Sequence, residues 1–227
     1  MSEVLLAHQL AAMRLGCRWH GAPAAPGRRV TTVMPRGAYS RIFGTPRVAG
    51  HNDLVGDCVE TAACNAVQTE MARAGISRPQ IANDLAVTLY SQITGYTASN
   101  PASDQGTDPE ALFAWWRQNS IAGYRLRQVV PVDPKFEADI RDVVSRAGGI
   151  FLILALGLAQ QNQLVWTAAG APGSWGYHAV WADSYDGALT FATSWGEAKP
   201  IDRSFFVAGF VAAAYALDIA KEAVTGS

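Results

Sequence analysis

The sequence predicts an α+β protein with a helical N-terminal lobe and an antiparallel, β-rich C-terminal lobe. Between residues 51 and 147, segments with apolar residues at helical spacing alternate with loops rich in Gly, Pro and Ser. From residue 148 onwards, short apolar or alternating runs are separated by glycines, which is typical of strands. At 227 residues the chain is long enough for two lobes, and we expect the functional site in the cleft between them.

The same change of pattern divides the chain into three stretches. Residues 1–50 are predicted to form a short amphipathic helix and then an extended arm rich in Gly, Pro and Arg. Residues 51–147 are predicted to form the helical lobe, and residues 148–227 the β-rich lobe. No long charged helix occurs before Asn52, so we expect no separate inhibitory propeptide there.

Helix and strand signals place the individual elements. Four helices are expected, at 57–74, 77–96, 107–121 and 134–147. The third has the clearest start, because Thr107 or Asp108 can serve as the N-cap residue and Pro109 lies in the first turn. Three strands are expected, at 149–157, 177–185 and 188–195.

Charge and apolar patterning argue against several function classes. The chain has 18 basic and 19 acidic residues and no basic stripe, so we expect neither nucleic acid nor an anionic membrane as a partner. The longest apolar runs, at 149–159 and 205–217, are shorter than the ~20 residues that a membrane helix needs. Glu3 stands where a signal peptide would be basic. We therefore expect a soluble protein, either cytoplasmic or carried in an assembly.

One of the three cysteines is a candidate nucleophile. Their odd number and the absence of a CxxC pair argue against a disulfide framework and against zinc, so we expect no metal and no cofactor. Cys58 differs from Cys17 and Cys64 because it opens a predicted helix, where the positive end of the helix dipole favours a thiolate.

A nucleophilic cysteine needs a base, and His178 is the best placed of the four histidines. It begins an alternating strand, after glycines that leave room around its ring. Three runs follow the helix-opening Cys58 in order: "QGTDPEALFAWWRQNSI" at 105–121, "HAV" at 178–180 and "TSWG" at 193–196. Together with Cys58 they resemble the papain-like cysteine peptidases. The resemblance implies a two-lobe papain-like fold and a peptide or protein substrate.

The resemblance also implies roles for four residues of a catalytic site. Cys58 resembles the nucleophile, and His178 resembles the base that later protonates the leaving amine. Asn52 falls where the family has a glutamine that completes the oxyanion hole. Thr193 falls where the family has an asparagine that orients the imidazole. Both replacements have shorter side chains, which favours a slow or specialised reaction, or a lost one.

Two further positions are implied in substrate binding and shielding. Gly106 resembles the residue whose bare backbone pairs with an extended substrate. Trp195 resembles the indole that shields the histidine from water. The loop before the nucleophile departs from the family, because "VGDC" at 55–58 replaces "CGSC" and lacks a cysteine of the family's structural disulfide.

Four hypotheses about function remain open at this point. The leading one is a thiol-dependent, peptidase-like hydrolase that uses the Cys58–His178 pair through an acyl-enzyme. The second is a catalytically lapsed papain-like domain that serves as a binding or structural module in a larger assembly such as a phage particle. The third is another cysteine-peptidase branch, such as the cell-wall endopeptidases or the bacteriocin-leader peptidases. The fourth is an α+β domain in which Cys58 and His178 never meet.

Overall fold

The structure is a computed structural model that describes residues 15–19, 39–40, 47–76, 80–187 and 189–222. The helices are α1 (Cys58–Arg73), α2 (Asn83–Thr94), α3 (Pro109–Gln118), α4 (Glu137–Ala147) and α5 (Arg203–Val207). The strands are β1 (Tyr39–Ser40), β2 (Tyr124–Val132), β3 (Ile150–Leu156), β4 (Gly176–Asp186), β5 (Leu189–Ser194), β6 (Glu197–Asp202) and β7 (Val211–Lys221). Most of the predicted N-terminal helix and arm lies outside the described residues.

The strands form a seven-stranded antiparallel sheet in the order β2-β7-β3-β4-β5-β6, with β1 paired to β4. His178 on β4 lies opposite Leu154 on β3, and Trp181 on β4 lies opposite Thr193 on β5. The sheet therefore brings the "HAV" and "TSWG" runs onto neighbouring strands. The domain boundary predicted at 147/148 stays a prediction. Strand β2 precedes this boundary in the sequence and pairs with β7, which follows it.

The four predicted helices and three predicted strands are present, with shifts at some ends. The second helix begins at Asn83 and the fourth at Glu137, both later than predicted. The third begins as predicted, because the Asp108 side chain accepts a hydrogen bond of 3.0 Å from the backbone N–H of Glu110. Strands β2, β6 and β7 were not predicted, nor was the two-residue strand β1 within the predicted arm. An internal Pro131 in β2 and the alanines of β7 weaken the local strand signal.

A hydrophobic core covers each face of the sheet. Helices α1, α2 and α3 cover one face, and α4 and α5 cover the other. Side chains of β3 alternate between the two cores: Phe151 and Ile153 enter the first, and Leu152 and Leu154 enter the second. This strand is continuously apolar because both of its faces are buried.

Helix α1 packs directly on β4 in the first core. Its buried face includes the small side chains of Ala62, Ala63 and Ala66, which allow the helix to approach the sheet closely. The indole N–H of Trp181 on β4 donates a hydrogen bond of 2.9 Å to the hydroxyl of Thr69 on α1. Within the described residues, no helix is long and apolar enough to span a bilayer.

A buried carboxyl in the first turn of α1 ties this helix to the strand-like segment before α3. Glu60 is fully buried, and its Oε1 accepts a hydrogen bond of 2.6 Å from the hydroxyl of Thr107. Burial raises the pKa of Glu60 to about 8, because a charged carboxylate loses its hydration there. Glu60 is therefore mostly protonated at neutral pH in the folded chain.

Replacing Glu60 by glutamine should make the free energy of unfolding less dependent on pH. Between about pH 5 and pH 8 the unfolded chain has lost the Glu60 proton while the folded chain keeps it, so stability falls as the pH rises. Linkage sets the loss at up to about 1.4 kcal/mol per pH unit. Glu60→Gln keeps the shape of the side chain without a proton to lose. The free energy of unfolding, measured with urea at several pH values, should therefore fall less steeply with pH in this variant than in the wild type.

The matched control for this prediction is Glu110→Gln, a change at an exposed carboxylate in the first turn of α3. The control should leave the slope of stability against pH as it is in the wild type. Equal slopes for the wild type and Glu60→Gln would contradict the raised pKa of Glu60.

Candidate active site

The candidate nucleophile lies where α1 meets the strand of the candidate base. Cys58 is the first residue of α1 and is fully buried. Its Sγ accepts the backbone N–H of Ala179 at 3.5 Å, and Ala179 directly follows His178 on β4. The backbone of Gly16 also lies near this sulfur and lowers the pKa of the thiol slightly, against the larger effect of burial. A direct contact between the Cys58 sulfur and the imidazole of His178 stays a prediction.

Burial sets the charge of both groups in this conformation. It raises the pKa of the Cys58 thiol to about 12 and lowers the pKa of the His178 imidazole to about 3. Both groups are therefore neutral at pH 7. The sequence predicted a thiolate from the position at a helix start, but loss of hydration outweighs the helix dipole here.

The imidazole of His178 is covered by a stack of indoles. The ring of Trp195 lies parallel to it, with 4.5 Å between ring centroids, and Trp175 stacks on Trp195 at 6.0 Å. Trp195 has a φ of 48°, a left-handed conformation that a bulky residue rarely adopts. Its indole N–H points to the backbone oxygen of Asn52 at 3.4 Å. The indole of Trp195 therefore covers one face of the imidazole, and its part in shielding a hydrogen bond of His178 from water stays a prediction.

Thr193 is held by a cation that the sequence did not reveal. The side-chain hydroxyl of this buried residue accepts a hydrogen bond of 2.8 Å from Nε of Arg47. The same guanidinium donates to Oδ1 of Asp183 at 2.7 Å. Arg47 is 146 residues away in sequence and lies in the predicted arm, where no motif marks it. A guanidinium has no acceptor, so the hydroxyl keeps its proton and one lone pair for another partner.

Asn52 is buried near the site, with its amide turned towards its own loop. Its Nδ2 donates a hydrogen bond of 2.9 Å to the backbone oxygen of Ala49. One of its two amide hydrogens is therefore used within the turn. The role of Asn52 in an oxyanion hole stays a prediction. It would require the second hydrogen of the side-chain amide to point to the substrate oxygen.

Residues 15–19, here called the cover segment, cross the site in front of Cys58. Cys17 forms a parallel β-bridge with Thr107. The backbone N–H of Thr107 donates to the oxygen of Gly16 at 2.8 Å, and the N–H of Arg18 donates to the oxygen of Thr107 at 2.9 Å. The residue that pairs with the cover segment is thus Thr107, next to Gly106. The predicted pairing of Gly106 with a substrate backbone stays a prediction. The N–H of Gly106 is taken by the hydroxyl of Tyr90 at 2.8 Å.

Glycines at three positions allow the backbone of the cover segment to contact the loop before Cys58 and the segment before α3. A Cβ on Gly16 would lie 2.0 Å from the backbone oxygen of Gly56, and a Cβ on Gly106 would lie 2.1 Å from the backbone oxygen of Gly16. Gly56 and Gly106 also lie side by side, because a Cβ on Gly56 would lie 3.3 Å from the Cα of Gly106. We call the groove that these two glycines form, on which the backbone of Gly16 lies, the glycine slot. It has room for bare backbone and for no side chain.

A cavity of about 400 Å³ lies beside the glycine slot. Its walls come from residues 15–16 of the cover segment, from Gly56, from 104–106 and from 175–176 across the cleft. Among the described residues, no group of three His, Cys, Asp or Glu side chains could hold a metal ion.

The expectation of no separate inhibitory propeptide before Asn52 stays a prediction, although the cover segment lies against the residues around Cys58. That expectation was based on the absence of a long charged helix. The segment is instead bound through backbone hydrogen bonds and glycine contacts, and these leave no side-chain pattern to detect. The residues that sequence reasoning missed are Gly16, Arg47, Tyr90, Asp104 and Thr107.

Comparisons with known proteins support the fold. No family model matches the sequence, and no curated protein matches it. Solved structures match over most of the chain. A recombinant stem bromelain precursor is 14% identical, covers 93% of this chain and 79% of its own, and has a TM-score of 0.66. Digestive procathepsin L 3 of the Tenebrio molitor larval midgut is 13% identical, with 96% and 79% covered and a TM-score of 0.63.

A bacterial protein extends this likeness. Xylellain, a cysteine protease from Xylella fastidiosa, is 12% identical, with 94% of this chain and 97% of its own covered and a TM-score of 0.55. At such low identities the likeness is one of fold. The chain therefore has a papain-like α+β fold of two lobes.

Proposed function

We propose that this chain is a thiol-dependent, peptidase-like hydrolase in a closed, latent conformation. The observation that carries the proposal is the contact between the Cys58 sulfur and the strand of His178, at the buried start of α1. The papain-like fold and the indole stacked on His178 support it. The substrate is a peptide or protein whose extended backbone pairs with Thr107.

The reaction would proceed in two steps through Cys58. The thiolate attacks the carbonyl carbon of the substrate, and His178 passes the thiol proton to the leaving amine. Water then hydrolyses the thioester and regenerates the thiol. The backbone N–H of Cys58 is one of the free donors at the start of a helix, and with an amide hydrogen of Asn52 it would bind the oxyanion.

In this proposal the cover segment controls access and charge together. It fills the slot in front of Cys58 and buries the thiol and the imidazole, so both stay neutral. Displacing it would hydrate both groups, lowering the pKa of the thiol and raising that of the imidazole. The thiolate–imidazolium pair then becomes accessible to substrate.

Thr193 would orient the imidazole in place of the family's asparagine. In this conformation Thr193 lies opposite Trp181, three residues along β4 from His178, so the role requires the end of β5 to move towards the imidazole when the site opens. Arg47 holds the hydroxyl oxygen at 2.8 Å, which leaves one lone pair to accept the imidazole N–H. A hydroxyl that already accepts from Arg47 would bind the imidazole less firmly than the family's asparagine. A slow or narrowly specific reaction follows from this arrangement.

The alternative is a lapsed papain-like domain that acts as a module in a larger assembly such as a phage particle. The neutral pair, the engaged amide of Asn52 and the Arg47-bound hydroxyl of Thr193 favour it. The two proposals differ in whether an exposed Cys58 becomes reactive and whether any peptide is turned over.

Expelling the cover segment should activate the thiol of Cys58. In Gly16→Ala the new Cβ would overlap the backbone oxygen of Gly56, so the segment cannot stay in the glycine slot. Alkylation of Cys58 by iodoacetamide at about pH 6 should become at least about tenfold faster than in the wild type, because only an accessible thiolate reacts. Peptide mapping by mass spectrometry distinguishes Cys58 from Cys17 and Cys64.

The control for this experiment is Gly75→Ala, which strains a positive φ but meets no atom within 4 Å. It should leave Cys58 unreactive. Adding His178→Ala to Gly16→Ala should slow the alkylation of Cys58 again. Equal labelling of all three cysteines in Gly16→Ala would favour the lapsed module.

Turnover of fluorogenic peptides by the Gly16→Ala protein should depend on Cys58 and on the Thr193 hydroxyl. Cys58→Ala should abolish turnover, whereas Cys64→Ala, a matched loss of a buried thiol, should retain it. Thr193→Val keeps the shape without the acceptor and should lower kcat by about tenfold or more. Thr193→Asn should retain or raise kcat. An unchanged kcat in Thr193→Val would refute the orienting role, and no turnover of any peptide would support the module.

A further inference from the structure

We propose that Tyr90 and Asp104 are positioning residues that hold the two walls of the glycine slot at a fixed separation. They connect the loop before the nucleophile to the segment that pairs with extended chains. Their effect on catalysis rests on the proposed function, whereas their effect on the walls does not.

The connection consists of three hydrogen bonds in series. The backbone N–H of Gly106 donates to the hydroxyl of Tyr90 at 2.8 Å, and that hydroxyl donates to Oδ1 of Asp104 at 2.8 Å. The same oxygen accepts the backbone N–H of Gly56 at 3.0 Å. Two side chains thus join backbone atoms on opposite sides of the slot. We call this set of bonds the brace.

Both side chains of the brace are themselves held in place. Tyr90 is fully buried on α2, and its ring stacks on that of Tyr96 with 4.9 Å between centroids. Asp104 follows the short 3₁₀ turn Pro101–Ser103, and its backbone N–H donates to the oxygen of Pro101 at 3.2 Å. The two residues that form the brace are therefore held in position by contacts of their own.

The hydroxyl of Tyr90 remains a hydrogen-bond donor to Asp104 in the folded chain. Burial and the hydrogen bond to Asp104 raise the pKa of Tyr90, so its hydroxyl stays protonated and keeps donating. A bond from a hydroxyl to a carboxylate is stronger than one between neutral groups. Asp104 accepts from both Tyr90 and Gly56, so its single oxygen fixes the distance between them.

The brace has a specific consequence for the site. Gly56 lies two residues before Cys58, and Gly106 directly precedes Thr107, whose backbone bonds to the cover segment. The distance between the sulfur and a backbone paired with Thr107 therefore depends on the brace. The resembled family has a disulfide cysteine where this chain has Val55, and the brace provides a non-covalent connection at the same loop.

Amide hydrogen exchange in the full chain, measured by NMR, tests the brace without requiring any activity. In Tyr90→Phe, exchange at Gly56, Gly106 and Thr107 should become about tenfold faster, the effect of losing roughly one buried hydrogen bond. Exchange of the amides of β3 in the sheet core should not change. The control is Tyr96→Phe, which removes a hydroxyl from the neighbouring stacked ring and should change none of these amides.

A conservative pair of variants separates positioning from general stability. Asp104→Asn keeps an oxygen acceptor and should retain the slow exchange at Gly56, whereas Asp104→Ala should lose it. The proposal would be overturned if exchange rose equally at the amides of β3 and at those of the slot. It would also be overturned if Asp104→Asn exchanged at Gly56 as fast as Asp104→Ala. Unchanged exchange in Tyr90→Phe would overturn it as well.

Kinetics in the Gly16→Ala protein then test the consequence for catalysis. Tyr90→Phe should raise the KM for peptides by about tenfold while the rate of Cys58 alkylation by iodoacetamide stays the same, because the small reagent needs only the thiol. If the slot amides exchange faster but no peptide is cleaved, the brace stands and the proposed hydrolase fails. If peptides are cleaved with an unchanged KM, the brace has no part in substrate positioning.

Discussion

The close packing of α1 on β4 is the contact on which the rest of the site depends. Small buried side chains on the helix, among them Ala62, Ala63 and Ala66, let its backbone approach the sheet. Because Cys58 is the first residue of this helix, the same packing brings its sulfur to the backbone N–H of Ala179. Separation of the helix from the strand would therefore remove both the core and the candidate site.

That packing also creates a conflict between two electrostatic effects. The start of a helix favours a thiolate, but the burial of Cys58 and His178 favours their neutral forms. Burial favours the neutral form of each group and outweighs the helix dipole at Cys58. Under the proposed function, departure of the cover segment would change both the charge of the pair and the access of a substrate.

Around this centre, polar side chains from distant parts of the chain hold the cleft together. Arg47 links Thr193 to Asp183, and the brace of Tyr90 and Asp104 links backbone across the glycine slot. Buried polar groups must be bonded to be tolerated, so each of these residues is restricted to one arrangement. The positions at which the chain departs from the resembled family, Thr193 and the loop before Cys58, are the positions that these polar contacts reach.

The sequence by itself determined the division into helical and strand-rich halves, the helix start at Cys58 and the strand of His178. These follow from local signals: N-caps, helical spacing and alternating apolar residues within windows of a few residues. Strands β2 and β7 were not predicted from the sequence, because their stability comes from pairing with each other and they lie far apart in the chain.

Only the tertiary structure decided the partners and the charge of the site. The contact of Arg47 with Thr193 spans 146 residues, and the bond of Asp104 to Gly56 spans 48, so no local window contains both members. The cover segment binds through backbone, which has the same hydrogen-bonding groups in every sequence. A helix dipole is local and predictable, whereas desolvation depends on everything packed around an atom, which is why Cys58 is a neutral thiol in this fold.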